Sequence, residues 1–244
     1  MAETTVTAPG QAIDLRAVAP ELQAYPAIRV AHSAANYRRS MRQALAAGVD
    51  LVEADVWPRW NRVVARHERG VIALPLVFDK WYVRPEVRPI TLEEIAETAG
   101  PYAGLYLDLK SDNERYLRNI VQVLERYQLT ERAAISSSYW HAIQYIEAMS
   151  PSISSYYTVR TRSSLDPFWD HLDEHPEVNG TAIRHGLLSP ALVDAFHARG
   201  LRVLAWTIDV PSRALELLRW GVDGIISNRL DLLQAIPARG PESV

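Results

Sequence analysis

The chain contains no cysteine, so it has neither a disulfide framework nor a thiolate-ligated metal, and any metal must sit on oxygen or imidazole. No apolar run approaches the roughly 18 uninterrupted residues that a membrane span requires. The start, Met1 to Gln11, shows no basic stretch followed by an apolar one, the mark of a secretion signal. Excess charge of one sign is also missing: the net charge is -3 over 244 residues. That balance argues against a surface built to neutralise a nucleic-acid backbone and against stable membrane insertion, although it leaves room for local basic clusters. These absences lead to the expectation of a soluble cytoplasmic protein whose partner is a small molecule.

What is present suits one large core. The composition is 48% hydrophobic, and a single α/β barrel commonly needs about 250 residues. Residues 1–25 read as an N-terminal tail with a short helix over Asp14 to Leu22 covering one end of the core. Residues 26–236 read as the single domain, and 237–244 as a frayed tail. Short apolar runs recur at Ile28 to His32, Leu51 to Val56, Leu105 to Lys110, Ala133 to Ser137, Ser154 to Val159, Thr181 to Arg184, Val203 to Thr207 and Gly224 to Ser227. Amphipathic segments lie between them, with Gly48, Gly200 and Gly221 placed to end helices. Eight strands alternating with helices predict a TIM-type (β/α)8 barrel. One stretch breaks the rhythm. Arg62 to His67 follows the second run too closely for a crossover helix and predicts an excursion at the mouth, and Gly70 to Pro89 reads as a loop or lid.

The chemistry-bearing residues fall where the runs end. In a parallel barrel these C-terminal strand ends build the site. Glu53 and Asp55 are separated by one residue, so they share the face that points into the barrel. Two close carboxylates repel unless a cation joins them, and their apolar neighbours weaken the plain alternative of a solvated or salt-bridged pair. Asp108 and Lys110 repeat the spacing; alone they are as consistent with a structural ion pair. Together the carboxylates suffice for a hard divalent cation such as Mg²⁺ or Ca²⁺. His32 ends the first run and His67 ends the excursion, where two imidazoles can move protons on either side of a phosphorus. Lys110 can hold a phosphoryl oxygen. Trp206 is either an aromatic wall or a core residue. Arg160, Arg162 and Arg184 follow strand ends, within reach of phosphate, and His185 is a further neighbour of the site.

At these residues the chain resembles the glycerophosphodiester phosphodiesterase family, within the metal-dependent barrel phosphodiesterases that also include sphingomyelinase D-like phospholipases. The resemblance rests on His32 followed by Asn36, the Gly48 to Asp50 turn, the Glu53 and Asp55 pair, Thr91 to Ile95, Asp108 to Lys110, Ile135 to Ser138, Trp206 to Asp209 and Gly221 to Asn228, all in order. It implies that Glu53, Asp55 and Asp108 bind one divalent cation, that His32 and His67 are acid and base, and that Lys110 contacts the phosphate. Trp206 lines the pocket, and Asn36, Arg160 and Arg184 stand with it on the substrate side. Three departures accompany the match. Ser33 stands where the family usually has arginine, the loop from His32 to Asn36 is short, and the interval from His67 to Asp108 leaves no room for the cap insertion domain. The function so implied is hydrolysis of a glycerophosphodiester-like substrate to an alcohol and a phosphomonoester. The alternatives are a phospholipase D-like enzyme giving a cyclic phosphate, a silent barrel binding a phosphorylated ligand, and a metal-free Schiff-base enzyme using Lys110.

Overall fold

A computed structural model describes residues 9–67, 69–70, 76–79, 82–85 and 88–239. In chain order its strands are β1 (Ile28–Ala31), β2 (Leu51–Arg59), β3 (Arg62–Ala65), β4 (Arg69–Gly70), β5 (Leu76–Asp79), β6 (Tyr82–Pro85), β7 (Ile90–Thr91), β8 (Gly104–Leu109), β9 (Ala133–Ser137), β10 (Ser154–Val159), β11 (Gly180–Arg184), β12 (Arg202–Trp206) and β13 (Gly224–Ser227). The helices are α1 (Pro9–Leu22), α2 (Arg38–Ala46), α3 (Leu92–Ala99), α4 (Glu114–Arg126), α5 (Trp140–Met149), α6 (Leu165–Glu174), α7 (Pro190–His197), α8 (Pro211–Arg219) and α9 (Leu230–Gln234). Strands β1, β2 and β8 through β13 pair in parallel in sequence order, and β13 closes onto β1, giving the predicted TIM-type barrel. Among the described residues no helix is long and apolar enough to cross a membrane.

Alternation along each strand divides the core in two. Inward positions Ile28, Val30, Leu51, Tyr106, Ala134, Tyr156, Ala182, Leu204 and Ile226 fill the barrel. Outward positions such as Val52, Ala54, Leu105, Leu107 and Ile135 pack under the helices, where Leu117, Ile120 and Leu124 of α4 meet them. The inward residues change character toward the C-terminal ends. Leu51 is followed at two-residue steps by Glu53 and Asp55, Tyr106 by Asp108 and Lys110, Val30 by His32, and Ile226 by Asn228. An apolar plug therefore gives way to a polar floor.

Several boundaries differ from the expectations. The N-terminal helix begins at Pro9 rather than Asp14 and runs along α8 rather than across an end of the core: Asp14 accepts from the Ser212 backbone N–H at the start of α8, and Glu21 pairs with Arg219 at its end. Residues 237–239 are tied down. Ala27 donates to the Pro237 carbonyl, Ala238 bridges to Ala27, and Arg239 pairs with buried Asp223. The excursion after β2 is a hairpin, β2 with β3, turning at Trp60 and Asn61. The stretch read as a loop or lid contains a small antiparallel sheet of β4, β5 and β6, in which Val77 and Phe78 of β5 and Tyr82 and Val83 of β6 are residue types that favour strands; Trp81 lies outside the described residues. Among the described residues, this sheet of three short strands stands between His67 and β7, the interval in which no cap domain was expected.

Close packing at the N-terminal end of the barrel demands glycine. A Cβ on Gly180 would lie 2.2 Å from the Arg202 carbonyl oxygen, a backbone atom that cannot swing aside. Gly180→Ala should therefore cost about 1–3 kcal/mol of stability. Gly186→Ala, with nothing within 4 Å of its Cβ, should stay within about 0.5 kcal/mol of the parent. Thermal denaturation of the two variants measures the contrast.

Helix α3 opens with a capping box: the Glu94 N–H donates to the Thr91 hydroxyl, and the Thr91 N–H donates to the Glu94 carboxylate. That backbone N–H, helped by Arg38, holds the Glu94 carboxyl below its ordinary value. A carboxyl held low in the folded state adds stability above its unfolded pKa and loses it as pH falls through the folded one. On acidification through the carboxylate range, the parent should lose more stability than Glu94→Gln. The difference should be below about 1 kcal/mol because Glu94 is partly exposed and screened, and denaturant melts at neutral and acidic pH read it.

Candidate active site

The polar floor is built by register. On neighbouring strands β2 and β8, Asp55 stands directly opposite Asp108, and Glu53 opposite Tyr106. Glu53 and Asp55 are buried, Asp108 is half-buried, and one oxygen from each of the three lies within 4.8 Å of the others. Such crowding is costly. Burial, then the charges of Asp55 and Asp108, push the Glu53 carboxyl well above its ordinary value, and burial also raises Asp108 against the pull of Lys110.

The surrounding groups offset part of that repulsion. Burial alone would lower the Lys110 pKa, but the carboxylates of Asp108 and Asp55 raise it, so the side chain is an ammonium. Its Nζ lies 2.6 Å from Asp55 Oδ1 and also contacts Asp108. Asn36 is buried, donates to Asp55 Oδ2 at 2.7 Å, and accepts the Asp55 backbone N–H at 2.9 Å. Ser33, at φ 51°, turns its backbone N–H onto Glu53 and its hydroxyl toward Asp55. One ammonium against three carboxylates leaves an excess of negative charge. An all-oxygen donor set of this size and charge fits a hard divalent cation, which would have Glu53, Asp55 and Asp108 as its protein ligands.

Above the carboxylates lies a cleft of about 510 Å³ whose lining includes His32, Trp57, His67, Lys110, Arg160 and Trp206. Both histidines expected at the mouth are thus brought to it. His32 Nδ1 lies 2.8 Å from Asn228 Oδ1, and Asn228 in turn donates to Asp209 through its backbone N–H at 2.9 Å and through Nδ2 at 2.7 Å. Because the amide nitrogen is committed to a carboxylate, Asn228 presents its oxygen to the ring. In the neutral ring this contact places the proton of His32 on Nδ1 and the lone pair on Nε2. His67 stands exposed just beyond β3. The Arg160 guanidinium lies over the Trp206 ring at 5.7 Å and approaches Asp108 at 4.0 Å.

Four residues expected at the site fall elsewhere. Asn36 is absent from the cleft wall because both its amide groups are spent on Asp55, so it holds a carboxylate and not a ligand. Arg184, expected to reach phosphate from a strand end, is exposed at the end of β11 and outside the cleft lining. His185 faces Arg213, which donates to its ring nitrogen at 3.3 Å and to its carbonyl; burial, then Arg213 and Arg184, lowers its pKa. Arg162 is likewise exposed and outside the lining. Sequence reasoning gave no role to Asn228, Asp209, Trp57 and Tyr139, although Asp209 and Asn228 each end a motif that carried the resemblance. The two-residue step past Ile226 and past Asp55 carries the signal for Asn228 and Trp57; Asp209 and Tyr139 lie on loops, where no periodicity points to them.

Comparison with known proteins agrees with this geometry. Residues 90–232 match the Glycerophosphoryl diester phosphodiesterase family. A Mycobacterium tuberculosis relative named Probable glycerophosphodiester phosphodiesterase 2 is 49% identical over 55 residues, 22% of this chain and 21% of the relative. A second curated relative, from Bacillus subtilis, is 22% identical over 151 residues, 59% of this chain and 60% of its own length. The chain thus spans about a fifth and three fifths of the curated relatives it matches. An Oleispira antarctica phosphodiesterase structure in complex with the product sn-glycerol-3-phosphate superposes with a TM-score of 0.69 at 23% identity, covering 89% of this chain and 98% of that one. With more than half of its length matched to the family, the chain belongs to the glycerophosphoryl diester phosphodiesterase family.

Proposed function

We propose that this chain is a metal-dependent phosphodiesterase that hydrolyses a glycerophosphodiester to an alcohol and a phosphomonoester. The observation that carries the reading is the meeting of Glu53, Asp55 and Asp108 within 4.8 Å at the floor of a cleft that His32 and His67 line. The Oleispira antarctica relative was solved with sn-glycerol-3-phosphate as its product, and a phosphomonoester of that class is the product expected here. The three carboxylates hold one cation, Mg²⁺ or Ca²⁺, which when bound supplies positive charge against the phosphoryl oxygens.

The remaining work belongs to side chains. Lys110 turns from the carboxylates to a non-bridging oxygen of the diester, and Arg160, braced on Trp206, contacts a second oxygen. This arginine does what the usual arginine at position 33 would do. His32, with Nε2 unprotonated and Nδ1–H directed at Asn228, removes the proton of the attacking water; His67 delivers a proton to the leaving alcohol oxygen. Asn228 and Asp209 are positioning residues that keep the His32 ring in this tautomer. Trp57 and Trp206 wall the cleft. Lys110 as a Schiff-base nucleophile would need a neutral amine, and its ammonium between two carboxylates is the opposite state.

Chelation should abolish cleavage of glycerophosphodiesters, and Mg²⁺ or Ca²⁺ should restore it. Phosphorus NMR should show a phosphomonoester; activity that survives chelation rejects the metal, and accumulation of a cyclic phosphate rejects direct attack by water. His32→Ala and His67→Ala should each lower kcat by roughly 10²–10⁴-fold with unchanged melting temperature. Asn228→Ala should lower kcat less and leave KM unchanged. Full activity in both histidine variants refutes the assignment.

A further inference from the structure

The excursion between β2 and α3 has a feature that cleavage does not use. Trp60, at the tip of the β2–β3 hairpin with φ 49°, is 80% exposed. The Arg59 guanidinium lies 5.5 Å over its ring, and exposed Arg62 and Arg88 flank it along a groove of about 690 Å³. The Arg88 side chain is 81% exposed and meets Glu94 at 3.4 Å. From Arg59 to Arg88 the sequence carries seven arginine or lysine residues against three carboxylates, in a chain whose overall balance is -3. Basic charge in the sequence is thus gathered on the segment that presents the most exposed tryptophan among the described residues. The same hairpin lines the catalytic cleft through Trp57, and His67 lies just beyond it.

We propose that this hairpin docks the protein on an anionic phospholipid surface, with the Trp60 ring at headgroup level and Arg62 and Arg88 against lipid phosphates. An indole that is apolar on its faces and polar at its N–H suits that interface, and arginine side chains can lay their stems along it while keeping their charge on phosphate. Charge complementarity favours a lipid surface over a polyanionic chain. A nucleic acid or an acidic peptide would have to run past the hairpin and meet the acidic remainder of the molecule, whereas a planar layer of headgroups meets only the exposed tip. Docking there holds the cleft mouth close to the layer where phosphodiester headgroups lie.

The full chain is sedimented with vesicles of phosphatidylcholine alone and with vesicles containing about one third phosphatidylglycerol, at low and high salt. Binding is expected to the anionic vesicles only, and to weaken with salt. Arg62→Ala should reduce partitioning roughly fivefold, and the triple variant Trp60→Ala, Arg62→Ala, Arg88→Ala should not bind, with circular dichroism melts like the parent because all three side chains are exposed. Equal binding to both vesicle types, no binding to either, or a folded triple variant that sediments like the parent overturns the proposal. Retention on a nucleic acid or acidic peptide in place of vesicles overturns it as well. The readout is independent of turnover, so its failure leaves the phosphodiesterase reading standing.

Discussion

Three carboxylates forced together in a poorly solvated floor are the constraint to which the rest of this molecule answers. Asp55 and Asp108 meet because parallel strands β2 and β8 pair in a register that sets them side by side, and Glu53 joins them because it lies two residues earlier on the same inward face. Left alone, such a trio would protonate or push apart. Lys110, the Asn36 amide and the Ser33 backbone N–H each take up part of the charge. What they leave over is a negative excess shaped by oxygen atoms, a set that suits a hard divalent cation.

The two ends of the barrel divide their tasks accordingly. At the N-terminal end the requirement is density: glycine where a methyl would strike a neighbouring carbonyl, and Asp223 satisfied by Val203 N–H, His197 and Arg239. At the C-terminal end density gives way to titratable groups and aromatic walls held by a few specific bonds. The Asp209–Asn228–His32 chain shows how little is needed to fix chemistry there, since one committed amide orientation selects the ring nitrogen that keeps its lone pair.

Much of this was legible beforehand. Eight apolar runs predicted eight barrel strands because buried parallel strands are apolar on both faces, and spacing alone put Glu53 with Asp55 and Asp108 with Lys110. Where reading failed, the failures were local. Asn36 was put on the substrate side through the resemblance, while its bonds to Asp55 were invisible in the sequence. Arg184 was put there because it ends a strand, but a strand end says nothing of where a long side chain goes. The stretch after His67 was read as a loop because its prolines outweighed short strands that pair only with one another.

Periodicity is a property of the chain itself, so strand count, inward faces and the identity of the acidic, basic and imidazole groups were already determined by the order of residues. Which groups touch was decided only by closure of the barrel. Residues 53 apart in sequence acquire a common register there, a loop crosses to lend Glu53 its Ser33 N–H, and Asn228 just beyond the last strand reaches His32 just beyond the first. Those meetings depend on shear and twist summed around a ring, a quantity that no local stretch of sequence encodes.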